Sequence, residues 1–158
     1  MNAMAEVKTG VFPVNELDIQ IDKSSATSRS KEPSFVPVAD LVTASIGVET
    51  GVETWNPFDQ KGWQRALATA KALNISFSGK RNYGDEGNDY VASKWLKNGQ
   101  ECNSTLQIGF PDGSKVQIPC VIQVTSKGGD STNVAPLEFT IMSDGKPTYT
   151  PAEGAQAQ

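Results

Sequence analysis

Apolar and polar positions alternate along most of this chain. Leu17, Ile19 and Ile21 are interleaved with Asp18, Gln20 and Asp22, the period-two pattern of a half-buried strand. Pro13 places the start of that strand at an edge or outside the ladder. Residues 35–48 resume β character through Phe35, Val36, Val38, Leu41, Val42, Ile46 and Val48, and Ile75 and Phe77 alternate with Ser76 and Ser78. Leu106, Ile108 and Phe110 lead into Pro111-Asp112-Gly113-Ser114, and Val116, Ile118, Cys120, Ile122 and Val124 lead out of it. A fixed proline φ, an Asx side chain and a free glycine make that tetrapeptide a turn, so the flanking strands form a hairpin. Pairing Phe110 with Val116 sets even-numbered residues opposite one another and gathers the apolar side chains on one face. Gly128-Gly129-Asp130 turns the chain again. Leu137, Phe139 and Ile141 then form a last strand, broken by Asp144-Gly145-Lys146-Pro147.

Some stretches depart from the alternation. Residues 88–97 read as a helix, with Asn88 as N-cap, Asp89 in the first turn, and Lys94 and Lys97 near the end before Gly99. Val91, Ala92, Trp95 and Leu96 share one side of it and should lie on a sheet. The Ala-rich residues 64–73 fit either a short helix or a loop leading into the strand at Ile75. GVET occurs at 47–50 and again at 51–54, a hairpin or edge extension with Glu49 and Glu53 pointing outward. WNPFDQKGW (55–63) concentrates Trp55, Phe58 and Trp63 in a turn-rich stretch, where they either cap the core or anchor an interface. The Ser-rich residues 23–34 hold no large apolar side chain and are expected to be a mobile loop. The expected architecture is mainly β: a single domain over 1–158, an antiparallel β-sandwich or barrel with one flanking α-helix and long polar loops. Its ends fray over about 1–10 and 150–158. Ser76, Ser78, Thr105, Gln107, Lys115, Gln117, Gln123, Thr125 and Thr140 make the face opposite the core polar.

Composition narrows the function. The chain has 158 residues, one domain's worth, and no histidine. That removes the commonest general base and metal ligand. Fourteen basic against eighteen acidic residues leave a net charge of −4, the wrong sign for a non-specific nucleic-acid binder. Nothing approaches the roughly 18 apolar residues of a membrane helix, and Met1 to Gly10 lack the pattern of a secretory signal, so a cytoplasmic origin is expected. Cys102 and Cys120 read as buried free thiols or, alternatively, as a strained disulfide. The acidic run Asp85-Glu86-Gly87-Asn88-Asp89 lacks a full calcium loop and reads as a helix start. Lys80-Arg81 reads as a solvated strand end. No Walker A loop, dinucleotide fingerprint, CxxC, HExxH or GxSxG is present, so neither a catalytic residue nor a cofactor is expected.

Gly62-Trp63 with Arg65, then ALNISFSGKRNYGDEGNDYVASKW (72–95), the hairpin at 106–124 and LEFTIMSDGKPTY (137–149) together resemble the major tail, or tail-tube, proteins of long-tailed phages of Gram-positive hosts. The resemblance covers roughly residues 35–150 and lies in the order of its features. It implies a subunit that self-assembles into hexameric rings stacked as a hollow tail tube, a virion conduit that DNA passes without sticking. Tape-measure and tail-terminator or tail-tip proteins are implied as further partners. Candidate inter-subunit contacts are Ser24, Ser25, Arg29 and Lys31 in the polar loop, with Glu49, Glu53, Trp55 and Phe58. The two cysteines belong to no tube signature.

Other readings stay open on sequence alone. A monomeric β-sandwich recognising carbohydrate or a cell surface would use Trp55, Phe58, Trp63 and Tyr83 as a stacking platform. A decoration or connector subunit of a virion, or a small enzyme working with carboxylates or lysines, completes the set.

Overall fold

Side-chain alternation decides how the extended segments associate. The computed structural model describes residues 9–24 and 33–152. Strands β1 (Asp18–Asp22), β2 (Phe35–Pro37), β3 (Leu41–Trp55), β4 (Arg65–Lys80), β5 (Asn103–Gly109), β6 (Lys115–Ser126), β7 (Pro136–Ser143) and β8 (Thr148–Thr150) form one sheet. Its order is β2-β1-β5-β6-β7-β4-β3, with β8 also on β6, and every pairing is antiparallel. Ile21, Ile75, Phe77, Leu106, Ile108, Ile118, Cys120, Ile122, Leu137, Phe139 and Ile141 are buried together on one face. Phe77 and Phe139, directly opposite in the ladder, stack with ring centroids 5.0 Å apart. The other face is polar, as expected: Gln117 donates to Gln107 at 3.0 Å, and the Thr43 and Ser78 hydroxyls bond to each other.

Four expectations about the elements need correction. Val116 faces Ile108, not Phe110. Asp112 accepts from the Ser114 amide and hydroxyl, and Phe110 closes the turn with Ser114 and Gly113, so Phe110 belongs to the loop. The slip is two residues, which keeps the same faces together. The helix α1 runs Glu86–Ala92, not 88–97, and its cap is Asp85, whose carboxylate accepts from the Asn88 amide at 3.0 Å. A 3-10 turn, Ser93–Leu96, follows it and leaves Trp95 and Leu96 exposed. The Ala-rich residues are strand: tertiary pairing with β3 overrides their helix propensity. Finally, β8 follows the strand at 137–141, pairing with Lys115–Gln117.

The two ends of the sheet, β2 and β3, are joined by only three residues, Val38, Ala39 and Asp40. Four Cα steps of about 3.8 Å reach at most roughly 15 Å, so the sheet must curl until its ends nearly meet. Helix α1 seals this seam. Asp85 accepts from the Ala39 amide at 3.1 Å as well as capping the helix. Asn88, 0% exposed, donates to the carbonyls of Ala39 (3.1 Å) and Lys80 (2.9 Å) and accepts from the Asn82 amide (3.0 Å) and Arg81 (2.9 Å). One amide side chain thus ties the helix to the β2–β3 connection and to residues 80–82 with four hydrogen bonds, its bonding capacity filled. Arg81, expected to be a solvated strand end, is instead drawn in by Asn88 and a 2.7 Å ion pair with Asp89. The Asp40 carbonyl accepts from the Lys80 amide at 2.8 Å. A Cβ at Gly79 would strike that carbonyl, and one at Gly87 would strike the Pro37 carbonyl. Asn88→Ala should therefore cost about 3 kcal/mol, because it strands buried backbone partners. Gly79→Ala should also destabilise, whereas Gly128→Ser, where a side chain meets open space and no left-handed φ is required, should cost less than Gly79→Ala. Urea unfolding followed by circular dichroism measures all three.

Candidate assembly surface

Strands β3 and β4 outrun their neighbour. On its second side β4 pairs with β7 only from Asn74 to Lys80, and the last grip beyond is the Leu73 amide on the Ser143 hydroxyl at 3.0 Å. From there, among the described residues, Val48–Trp55 and Arg65–Leu73 pair only with each other. Nine residues at about 3.3 Å each make an arm on the order of 30 Å long. The GVET tandem is thus the outer strand of this arm, the extension that its pattern allowed.

Both faces of the arm are open. One continues the face of Phe77 and Ile75: Ile46, Val48, Thr50, Val52 and Thr54 opposite Leu73, Lys71, Ala68 and Ala66. Val48 is 60% and Val52 54% exposed, an apolar stripe that no described residue covers. The other face carries Glu49, Glu53 and Trp55 with Gly47, Gly51, Ala70, Ala72, Leu67 and Arg65. Arg65 lies 5.6 Å over the Trp55 ring. Thr69 is the extra residue of a bulge between Gly51 and Val52. At the tip a 3-10 turn, Phe58–Gln60, leaves Phe58 99% exposed. Lys61 takes a left-handed φ of 53° and Gly62 a φ of 94° to bring the chain back. Trp55, Phe58 and Trp63 do not cap the core. Both arm edges present free backbone groups, and a lone two-stranded ribbon is marginal in water. Such a surface is built to be covered.

Of the other candidate contacts, Ser24 donates its amide and hydroxyl to buried Asp22, which also accepts from the Ser34 amide. Ser24 and Ser34 therefore pinch the base of the polar segment. Ser25, Arg29 and Lys31 lie outside the described residues, as does most of the loop at 23–34. Glu49, Glu53, Trp55 and Phe58 all sit on the arm. Tyr83 sits at the seam under Arg81, separated from Trp63 by the whole of β4, some 50 Å of strand, so the four-aromatic platform is not assembled. Cys102 and Cys120 are buried free thiols; Cys102 bonds the Lys97 carbonyl at 3.1 Å. Sequence reasoning missed that residues 64–73 pair with the GVET tandem. Their exposed small and apolar residues facing period-two partners were the available signal.

A connector also carries charge. Lys94 is 4% exposed, with its ammonium 4.4 Å over the Tyr90 ring. Burial, then the neighbouring Lys97, hold its pKa below the ordinary lysine value, while burial pushes the Tyr90 hydroxyl up. Among the described residues, no group of three His, Cys, Asp or Glu is placed to hold a metal, and no helix is long and apolar enough to cross a membrane.

A sequence profile described as phage tail tube protein matches residues 9–149. Among solved structures, the chain is similar to one from the tail of an empty GTA particle determined with C6 symmetry. The TM-score is 0.70 at 20% identity, over 89% of this chain and 100% of that one. A chain of the virion of a native gene transfer agent particle gives a TM-score of 0.68 at 19% identity, over 89% and 100%. A search of curated proteins finds no match. The two Val side chains of the arm contribute nothing to the barrel's own core, so Val48→Ser with Val52→Ser should change the unfolding free energy of the isolated subunit by less than about 0.5 kcal/mol. Thermal unfolding of dilute protein measures this.

Proposed function

The chain belongs to the phage tail tube protein family, and on that footing we propose that it is the repeating subunit of a hollow virion tail, in which six copies form a ring and rings stack. The role is structural and non-catalytic. The observation that carries this reading is the arm: about 30 Å of two-stranded ribbon with two free edges, one apolar face and an aromatic tip, none of it covered by its own barrel. Edges of this kind join head to tail, and heterologous contacts either close into rings or continue along an axis. Both happen in a tube of rings. The C6 symmetry of the structurally similar GTA tail supports the number six.

The barrel's polar outer face and the net charge of −4 suit a wall that a polyanion passes, because few counterions would be released on contact. Tape-measure and tail-tip proteins are the further partners expected of such a tube. Its particle is a virion, reached from the cytoplasm in which subunits are made.

Concentrated purified protein should form rings and tubes in negative stain, with sixfold end views. A strict monomer at every concentration and ionic strength would sink the reading. Val48→Ser with Val52→Ser should weaken each contact by about 2 kcal/mol, raising the critical concentration for assembly roughly thirtyfold. Sedimentation of polymer against total protein measures it. Amide exchange in residues 48–73 should slow on assembly.

A further inference from the structure

At the arm's base lies a cavity of about 480 Å³, between the connector that follows α1 and the β6–β7 pair. Lys94, Trp95, Lys97, Asn98, Val121 and Met142 are among its lining. Met142 pairs with Asn74, where the arm leaves the barrel, so the cavity and the tip stand at opposite ends of one ribbon. Its wall is apolar and uncovered: Trp95 is 54% and Met142 48% exposed. Its charge is largely of one sign. Lys94 and Lys97 line it and Lys127 lies 4.3 Å over the Trp95 ring, with Glu101 the acid nearest in effect to Lys94. The Lys94 ammonium makes no hydrogen bond or ion pair among the described residues; its partner is the Tyr90 ring. A buried ammonium with no carboxylate in direct contact and Lys97 beside it is costly, so this is a site that an anion from outside would complete.

The arm tip offers the complement. Phe58 is 99% exposed, and the neighbouring Asp59 has no ion pair among the described residues. The tip cannot reach its own cavity, because the β3–β4 ladder holds it about 30 Å away. Building on the assembly reading above, we propose that the cavity is a socket for the hairpin tip of a second copy, with Phe58 against Trp95 and Met142 and the Asp59 carboxylate facing Lys94 and Lys97. Joining the far end of one arm to the near end of the next is a heterologous contact that propagates along the arm's direction.

Both Phe58 and Asn98 are exposed and outside the core, so a Phe58→Cys/Asn98→Cys variant tests the contact by mild oxidation of assembled protein. The expected result is a ladder of covalent multimers on a non-reducing gel, absent from either single variant. Tubes seen by microscopy with no ladder would overturn the socket while leaving the tube standing. Wild-type protein that never assembles would overturn both. Independently, Asp59→Lys should raise the critical concentration at least tenfold, and adding Lys97→Glu should recover most of that loss. Failure of the double variant to recover would reject the charge pairing, and this pair decides the matter if the cysteine variant does not assemble.

Discussion

The whole structure turns on closing one sheet across a gap of three residues. Strands β2 and β3 lie at opposite ends of the strand order, yet Val38–Asp40 must join them. The curl this forces brings backbone polar groups of the β2–β3 connection and of the end of β4 into one buried place, where unpaired carbonyls and amides would be costly. Asn88 pairs three of them together with the Arg81 guanidinium, and Asp85 adds the Ala39 amide while capping α1. Glycines at 79 and 87 keep the approach close enough. Helix α1 is short because its task is local: it carries this amide to the seam, then gives way to a tighter turn.

Closure also dictates what is left outside. Once the seam fixes where β3 begins and β4 ends, the distal halves of both strands have no further partner in their own barrel, since β7 stops at Ser143. A free ribbon with open edges invites uncontrolled pairing. Here Glu49, Glu53, Lys71 and Arg65 put charges of both signs along it, and the Thr69 bulge breaks the regularity of one edge. These features let a subunit carry an unsatisfied arm in solution until a specific neighbour covers it.

How far this was legible follows from what each signal reports. Period-two alternation revealed the hairpin at 106–124, the strand at 137–141 and the core face, because each of those strands has one wet side and one dry side. It was silent about residues 64–73, where both sides are wet in the isolated chain and Ala and Leu carry only helix propensity. Asn88 looked like a cap because asparagine favours caps; its buried role depends on Ala39 and Arg81, which sequence spacing cannot bring together. Asp85, an equally good cap three residues earlier, takes that place. The slip at Phe110 has a local cause, since Asp112 engages Ser114 and enlarges the loop. On the candidate contacts, the tandem with Trp55 and Phe58 pointed to the arm, but nothing in the sequence showed Lys94 as buried and lacking a carboxylate.

The parity of the GVET tandem explains how one ribbon can serve two environments. A repeat of four residues is even, so duplicating it along a strand returns every side chain to its original face. Val48 and Val52 therefore continue the apolar face of the barrel core, and Glu49 and Glu53 both take the polar one. The extra residue needed to twist the ribbon is placed in the opposite strand, at Thr69, where it leaves the tandem's alternation untouched. An odd insertion in β3 would instead move its distal carboxylate to the apolar side and its valine to the polar side. The length of the repeat, as much as its composition, keeps the valines and the carboxylates of the tandem on opposite faces of the arm over its full reach.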